Sequence, residues 1–209
     1  GVRATPQAIG QRIQPIEKNG VRVMSMGFLN PGDKPLIWRG PMLHNVMQQF
    51  LRSVDWGELE YLLIDLPPGT GDVQLSLMQT TALTGAIVVT TPSDVSLEDA
   101  RKAVNMFYQV RVPILGMVEN MSFLTCPHCG ERIEVFSSGG GQRTAEMMNV
   151  HFLGHLPLDP QVRAGGDNGK PVAAESGAPA EAFLELAHEV ERRAEEARAA
   201  KRPVIEVED

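Results

Sequence analysis

Two cysteines, Cys126 and Cys129, stand in the sequence Cys-Pro-His-Cys-Gly, and the 209 residues contain no others. Thiolates two residues apart can bind one metal ion or one iron–sulfur cluster, but tetrahedral zinc and a cubane cluster each usually require four protein ligands. One chain supplies two thiolates, whereas two copies related by a twofold axis would supply four. The count therefore favours a metal or cluster site shared by two subunits.

Three other interpretations of the cysteine pair stay open at this point. A structural zinc could be completed by His128 or His151, the pair could be a thioredoxin-like redox site, or the thiols could be unliganded surface groups. The redox interpretation is weaker because the Cys-x-x-C spacing does not open a helix after the first strand of a βαβ unit, where that motif normally occurs.

A second candidate is Asp65, which follows the apolar run Tyr61–Ile64 and precedes Leu-Pro-Pro-Gly-Thr-Gly-Asp. A run without alternation predicts a central parallel strand covered on both faces. Its aspartate would then lie at the carboxyl edge of the sheet, where it can hold the water shell of a Mg²⁺ that bridges nucleotide phosphates. Gly69 and Gly71 would let backbone N–H groups approach an anion, although buried strands often end in aspartate at an ordinary turn.

Weaker candidates follow the later strands. Asn120 ends a predicted strand, and its amide could pair with the edge of a nucleotide base or simply cap a turn. The run Gly139–Gly141 precedes a predicted helix and could bind an anion at the helix N-terminus, but a plain glycine loop explains it equally well. Asp159 is typical of a helix N-cap.

These candidates are positioned by alternating strands and helices. Periodicity predicts strands at 21–26, 61–65, 85–91, 113–120 and 152–157, and helices at about 42–54, 73–83, 96–110, 142–148 and from 179 onward. Alternation of this kind predicts an α/β fold, with a mostly parallel sheet, helices on both faces and right-handed crossovers. We expect one domain over 1–190 and a charged, solvated C-terminal tail over 191–209.

Composition limits the function. A hydrophobic content of 43% with 22% charged residues is ordinary for a globular protein. The net charge of −7 argues against a large nucleic-acid footprint, which needs a basic surface. No apolar run approaches the roughly 20 residues that span a bilayer, and the N-terminus lacks a basic-then-apolar signal pattern. We expect a cytoplasmic protein with no membrane span.

Five motifs occur in the order seen in the Mrp/ApbC family, which consists of iron–sulfur cluster carrier ATPases of the MinD-like branch of the P-loop NTPases. The matching stretches are Trp38-Arg39-Gly40-Pro41, Leu63-Ile64-Asp65-Leu66-Pro67-Pro68-Gly69-Thr70-Gly71-Asp72, Val118-Glu119-Asn120-Met121-Ser122, Cys126-Pro127-His128-Cys129-Gly130 and Leu156-Pro157-Leu158-Asp159-Pro160. The resemblance covers about residues 21–179 and implies a P-loop NTPase-like fold.

The resemblance implies roles for individual residues. Asp65 resembles the Walker B aspartate, and the stretch Pro67–Asp72, which includes Gly69 and Gly71, resembles the switch II loop that senses the terminal phosphate. Asn120 resembles the adenine-contacting asparagine. The other side of the base pocket would be formed by Pro157, Leu158 and Asp159. The implied cofactors are ATP and Mg²⁺.

The resemblance also favours one interpretation of the thiols. Cys126 and Cys129 resemble the pair that holds a 4Fe–4S cluster between two subunits of a homodimer, which implies apo iron–sulfur proteins and cluster scaffold proteins as partners. We therefore expect a carrier that binds ATP and transfers the cluster to apo-proteins. The alternatives are a MinD-like positioning or scaffold ATPase with a structural zinc at the cysteines, or a non-catalytic fragment.

One departure from the family bears on catalysis. The chain starts at Gly1 without an initiator Met, and the family's lysine-containing P-loop is expected upstream of it, together with the first strand, the first helix and switch I. The nearest similar stretch, Gly165–Lys170, is followed by Pro171 instead of Ser or Thr and does not follow a buried strand, so it is not a Walker A motif. ATP hydrolysis is therefore expected of the family, and it is in doubt for this chain alone.

Overall fold

A computed structural model describes residues 2, 4–29, 40–66 and 72–200. The chain divides into two compact units, Gly1–Thr81 and Ala82–Asp209. Among the described residues, no helix has the length and apolar character needed to cross a bilayer.

Among its described residues, the first unit contains short strands and three helices. Their bounds are β1 Ala8–Ile9, β2 Arg12–Ile13, β3 Ile16–Lys18, β4 Val21–Val23, α1 Met26–Leu29, α2 Gly40–Arg52 and α3 Asp72–Thr80. β1 pairs with β2 and β3 with β4, both antiparallel. The strand predicted over 21–26 is thus shorter than expected and belongs to a hairpin. Val54 and Leu77 are buried apolar side chains in the part of this unit that the structure describes.

The prediction of a buried central strand over 61–65 is wrong for this structure. These residues form no strand, and none of the described sheets includes them. A strand exists only when a neighbouring chain completes its hydrogen-bond ladder, and no described strand pairs with this run. Tyr61, Leu62 and Leu63 are exposed, with Leu63 at 84% of its full accessibility, and Asp65 is exposed as well, whereas Ile64 is half-buried.

The second unit contains the parallel sheet. Its elements are β5 Ala86–Thr90, α4 Asp94–Gln109, β6 Ile114–Glu119, β7 Leu124–Thr125, β8 Arg132–Ile133, α5 Gly140–Met147, β9 Phe152–His155, α6 Pro160–Asn168, a 3₁₀ turn at Val172–Ala174 and α7 Ala178–Ala200. The strand order β5-β6-β9 is parallel throughout. The predicted α/β alternation is confirmed here, with strands and helices close to their expected positions.

Helices cover both faces of β6, the central strand. Val118 packs in a cluster with Leu153 and Leu156, against side chains of α7 that include Phe183 and Leu186. The next residue, Glu119, faces the opposite way and contacts the N-terminus of α5. Because both faces are covered, β6 is buried from Leu115 to Glu119, which explains its continuous apolar sequence.

Helix α7 continues through the charged stretch that starts at residue 191 and remains helical to Ala200. Ala194 is buried, and the Arg193 Nε donates a hydrogen bond to the carbonyl oxygen of Leu115 at 3.2 Å. These two residues therefore pack against the rest of the second unit, whereas most of the other residues from 191 to 200 are exposed.

Candidate functional site

Asn120 follows directly after β6, where the chain leaves the sheet. Its backbone N–H donates to the Thr90 carbonyl at 2.8 Å, and its side-chain Oδ1 accepts from the Met121 N–H at 2.9 Å. Met121 has a φ of 56°, so the chain makes a left-handed turn at this point. The amide oxygen of Asn120 thus caps this turn, and among the described residues its Nδ2 donates no hydrogen bond.

The segment after β9 runs beside this turn. The Leu156 N–H donates to the Glu119 carbonyl at 2.9 Å, and its own carbonyl accepts from the Ser122 N–H at 3.0 Å. Further along, the Leu158 N–H donates to the Phe123 carbonyl at 2.7 Å. These three backbone bonds place Pro157 and Leu158 next to the residues that follow Asn120.

Asp159 is the N-cap of α6, as its residue type predicts. Its Oδ1 accepts from the Gln161 N–H at 2.7 Å, and Pro160 occupies the first helical turn. The predicted base-pocket residues Pro157, Leu158 and Asp159 follow Leu156, whose backbone pairs with Glu119 and Ser122 on either side of Asn120.

The two cysteines lie in the loop of the β7–β8 hairpin, which begins four residues after Asn120. The Cys126 N–H donates to the Glu131 carbonyl, and the Gly130 N–H donates to the Cys126 carbonyl, both at 2.9 Å. Gly130 has a φ of 74°, which favours glycine at this turn. Both cysteines are free thiols; Cys126 is half-buried and Cys129 is exposed.

Electrostatics favour the thiolate form of Cys126. Hydrogen bonds from the backbone N–H groups of Cys129 and His128, and from the Cys129 thiol, hold the pKa of Cys126 below its ordinary value of 9.0. The thiolate is the form that binds a metal or a cluster. The hairpin is also braced at its base, where the Arg132 guanidinium lies 3.5 Å from the centroid of the Phe123 ring.

Of the two histidines considered as further zinc ligands, His128 lies in the cysteine loop itself, whereas His151 lies beside α7. The His151 Nε2 lies 2.7 Å from the Glu189 Oε1 on α7, so this ring is hydrogen-bonded to the helix. Within the part of the chain that the structure describes, no group of three or more His, Cys, Asp or Glu side chains is arranged to hold a metal ion.

The remaining predicted site residues belong to the first unit or fall outside the description. Asp65 is an exposed residue of the first unit and lies outside every described strand. Gly69, Gly71, Trp38 and Arg39 lie outside the described residues.

Sequence reasoning missed a buried polar group beside these candidates. The carboxylate of Glu119 is fully buried and contacts Ser122 and His155, which lie 2.5 Å and 3.3 Å away from its Oε1. A glutamate inside an otherwise apolar strand is a signal for such a group, since a buried carboxylate needs partners.

A parallel sheet covered by helices on both faces, with polar residues at its carboxyl edge, is an α/β fold of the P-loop NTPase-like class. Solved structures support this class. A nucleotide-binding protein from Archaeoglobus fulgidus in complex with ADP is similar, with a TM-score of 0.67, 34% identity, and coverage of 82% of this chain and 67% of that chain. The cell division ATPase MinD from Pyrococcus furiosus matches with a TM-score of 0.53, 25% identity, and coverage of 72% and 57%.

The chain belongs to the family described as ParA: NUBPL iron-transfer P-loop NTPase, which matches residues 1–191. It is 50% identical over 158 residues to the iron–sulfur cluster transfer protein NUBPL of Dictyostelium discoideum, covering 76% of this chain and 49% of the relative. It is 52% identical over 161 residues to an iron–sulfur cluster carrier protein of Deinococcus radiodurans, covering 77% and 45%. The chain thus spans about half the length of the curated relatives it matches.

Proposed function

We propose that this chain is the cluster-holding part of an iron–sulfur cluster carrier, in which Cys126 and Cys129 of two copies together bind one 4Fe–4S cluster for transfer to apo-proteins. The observation that carries the proposal is the β7–β8 hairpin, which presents two free thiols at its tip and lowers the pKa of Cys126. Two chains supply the four thiolates that a cubane cluster usually requires.

We further propose that the whole protein binds ATP with Mg²⁺ near Asp65, that Gly69 and Gly71 belong to a loop that responds to the terminal phosphate, and that the protein hydrolyses ATP. The adenine would lie between Asn120 and the segment of Pro157, Leu158 and Asp159. The support is the backbone pairing of these two segments and the family membership. In that arrangement, the turn after β6 leads directly from the base pocket to the cysteines.

Anaerobic reconstitution with ferrous iron and sulfide, followed by visible absorption spectroscopy, tests the cluster assignment. The parent chain should gain the broad absorption of a 4Fe–4S cluster, and the Cys126→Ser/Cys129→Ser double variant should not. Glu131→Gln is a matched control because it changes an exposed side chain of the same hairpin and leaves both thiols in place. Equal cluster content in the double variant and the parent would refute the assignment.

Equilibrium binding of labelled ATP tests the nucleotide site separately. We expect Asn120→Ala to weaken binding in a version of the protein that binds ATP, without changing cluster content. Unchanged ATP affinity in Asn120→Ala would show that this amide does not contact the base.

A further inference from the structure

The side chain of Glu119 is fully buried at the end of β6, and its carboxylate is hydrogen-bonded on both oxygens. Oε1 accepts from the Ser122 Oγ at 2.5 Å and from the Gly139 N–H at 3.1 Å. Oε2 accepts from the Gly141 N–H at 2.5 Å. The His155 Nδ1 lies 3.3 Å from Oε1 and 3.1 Å from the Ser122 Oγ.

These bonds keep a buried carboxylate ionised. Burial alone raises the pKa of Glu119, but hydrogen bonds from Ser122, Gly141 and Gly139, with the nearby His155, outweigh that effect and hold the pKa below its ordinary value. The two glycine N–H groups belong to the first turn of α5, where the helix dipole favours a negative charge. The anion at the glycine-rich N-terminus of α5 is therefore a side chain of the same protein.

The glycines fit this carboxylate closely. A Cβ at residue 141 would lie 3.0 Å from the Glu119 Cβ and 3.1 Å from its Oε2, so a larger residue would push the carboxylate away. Gly139 has a φ of 68°, a left-handed conformation that places its N–H toward Oε1. Position 141 thus requires glycine because there is no space for a Cβ, and position 139 favours glycine because of its backbone conformation.

The bonded residues lie at the two ends of one segment. Glu119 immediately precedes the stretch 120–138, and Gly139 and Gly141 follow it, 20 and 22 residues after Glu119. This stretch contains Asn120 and the cysteine hairpin. The Glu119 side chain therefore links the two ends of segment 120–138, which leaves the sheet after β6 and ends at α5.

We propose that Glu119 is a positioning residue: its carboxylate ties the start of segment 120–138 to the N-terminus of α5 and so fixes the cysteine hairpin beside Asn120. The inference rests on the proposed cluster site at Cys126 and Cys129. Without the tie, the hairpin would keep both thiols but would hold them less firmly in one place, and a bound cluster would be released faster.

Glu119→Gln tests the role because it keeps the size of the side chain but places an NH₂ group where a second acceptor is needed. Glu146→Gln is the matched control, since Glu146 is an exposed glutamate on α5. Val104→Ala is a second control, because Val104 is fully buried in α4 and its truncation destabilises the unit without removing a contact of Glu119.

Two measurements are made on the 209-residue chain reconstituted with ferrous iron and sulfide. The first is amide hydrogen exchange, in which Gly139 and Gly141 of Glu119→Gln should exchange about tenfold faster than in the parent while Met117 keeps its protection. The second is the rate at which a ferrous chelator removes the cluster, which should rise about tenfold in Glu119→Gln. Both controls should release the cluster at the parent rate.

Each outcome bears on one proposal. Release from Glu119→Gln at the parent rate, or equally fast release from Val104→Ala, would overturn the positioning role and leave the cluster site intact. Failure of the parent and Glu146→Gln to take up any cluster would overturn the proposed function instead. If Glu119→Gln does not fold, Gly141→Ala replaces it: it leaves the carboxylate present but displaces it, and parent-like release from this variant would overturn the role.

Discussion

Gly116 provides the sharpest test of how the sheet positions the candidate site. It lies in β6, one residue before the part of the strand that pairs with β9, and this strand pair brings Leu156 and Leu158 alongside the turn after Glu119. A Cβ at Gly116 would lie 2.5 Å from the Leu153 Cγ and 2.8 Å from the carbonyl oxygen of His151. The substitution Gly116→Ala therefore forces a side chain and a backbone group to move together.

The size of the effect follows from these distances. Non-bonded carbon atoms are in best contact at about 3.5–4.0 Å, so the new methyl group overlaps Leu153 by about 1 Å. Leu153 could change its conformation, but the His151 carbonyl accepts the Met117 N–H at 2.8 Å and is held in the sheet. Overpacking of this kind costs about 1–3 kcal/mol, which lowers the unfolding midpoint by about 2–4 °C for each kcal/mol.

Thermal and urea unfolding of the second unit, followed by far-UV circular dichroism, measures the effect. Gly166→Ala is the control, because a Cβ at this position in α6 meets no atom within 4 Å. Replacing a helical glycine by alanine there should stabilise the protein by about 0.5–1 kcal/mol. A midpoint for Gly116→Ala equal to or above that of the parent would refute the close strand contact.

Three further predictions concern individual contacts. Asp159→Ala should lower stability by about 1 kcal/mol through loss of the α6 cap, and Asp159→Asn should retain most of it, as measured by urea unfolding. Pairing with Arg192 lowers the pKa of Glu189 to about 2 from an ordinary 4.5. The pair therefore stabilises the fold above pH 4.5 and loses this effect as the pH falls to about 2. Glu189→Gln should make the free energy of unfolding depend less on pH over that range. Arg132→Met should remove about 0.5–1 kcal/mol of stabilisation from the cation–π contact with the Phe123 ring and speed amide exchange in the β7–β8 hairpin. Unchanged exchange would show that this contact does not stabilise the hairpin.

The sequence predicts the second unit well because its strands are buried on both faces. The apolar runs of β5, β6 and β9 are long enough to stand out, and each is separated from the next by a helix of clear period. The same rule fails over residues 61–65. An apolar run indicates that a strand is favourable, but a strand forms only where a neighbour pairs with it, and no described strand pairs with this run.

Local chemistry was predictable where the partner is close in sequence. Asp159 was predicted to cap a helix from its residue type, and the cap forms with the Gln161 N–H. The glycine run at 139–141 leaves an anion site and a plain loop open in the sequence, and the structure places the carboxylate of Glu119, 20 residues before Gly139, against it. A pairing over that distance depends on the path of the chain through β6 and the cysteine hairpin, which periodicity does not specify.

The central claim is that Cys126 and Cys129 of two chains hold one iron–sulfur cluster. The most direct test is the content of iron, acid-labile sulfide and zinc in protein purified without oxygen, combined with its mass in solution. We predict about four iron and about four sulfide per two chains, in a dimer that falls apart when the cluster is removed. A stoichiometric zinc content without sulfide, or iron and sulfide bound by a monomer, would contradict the claim.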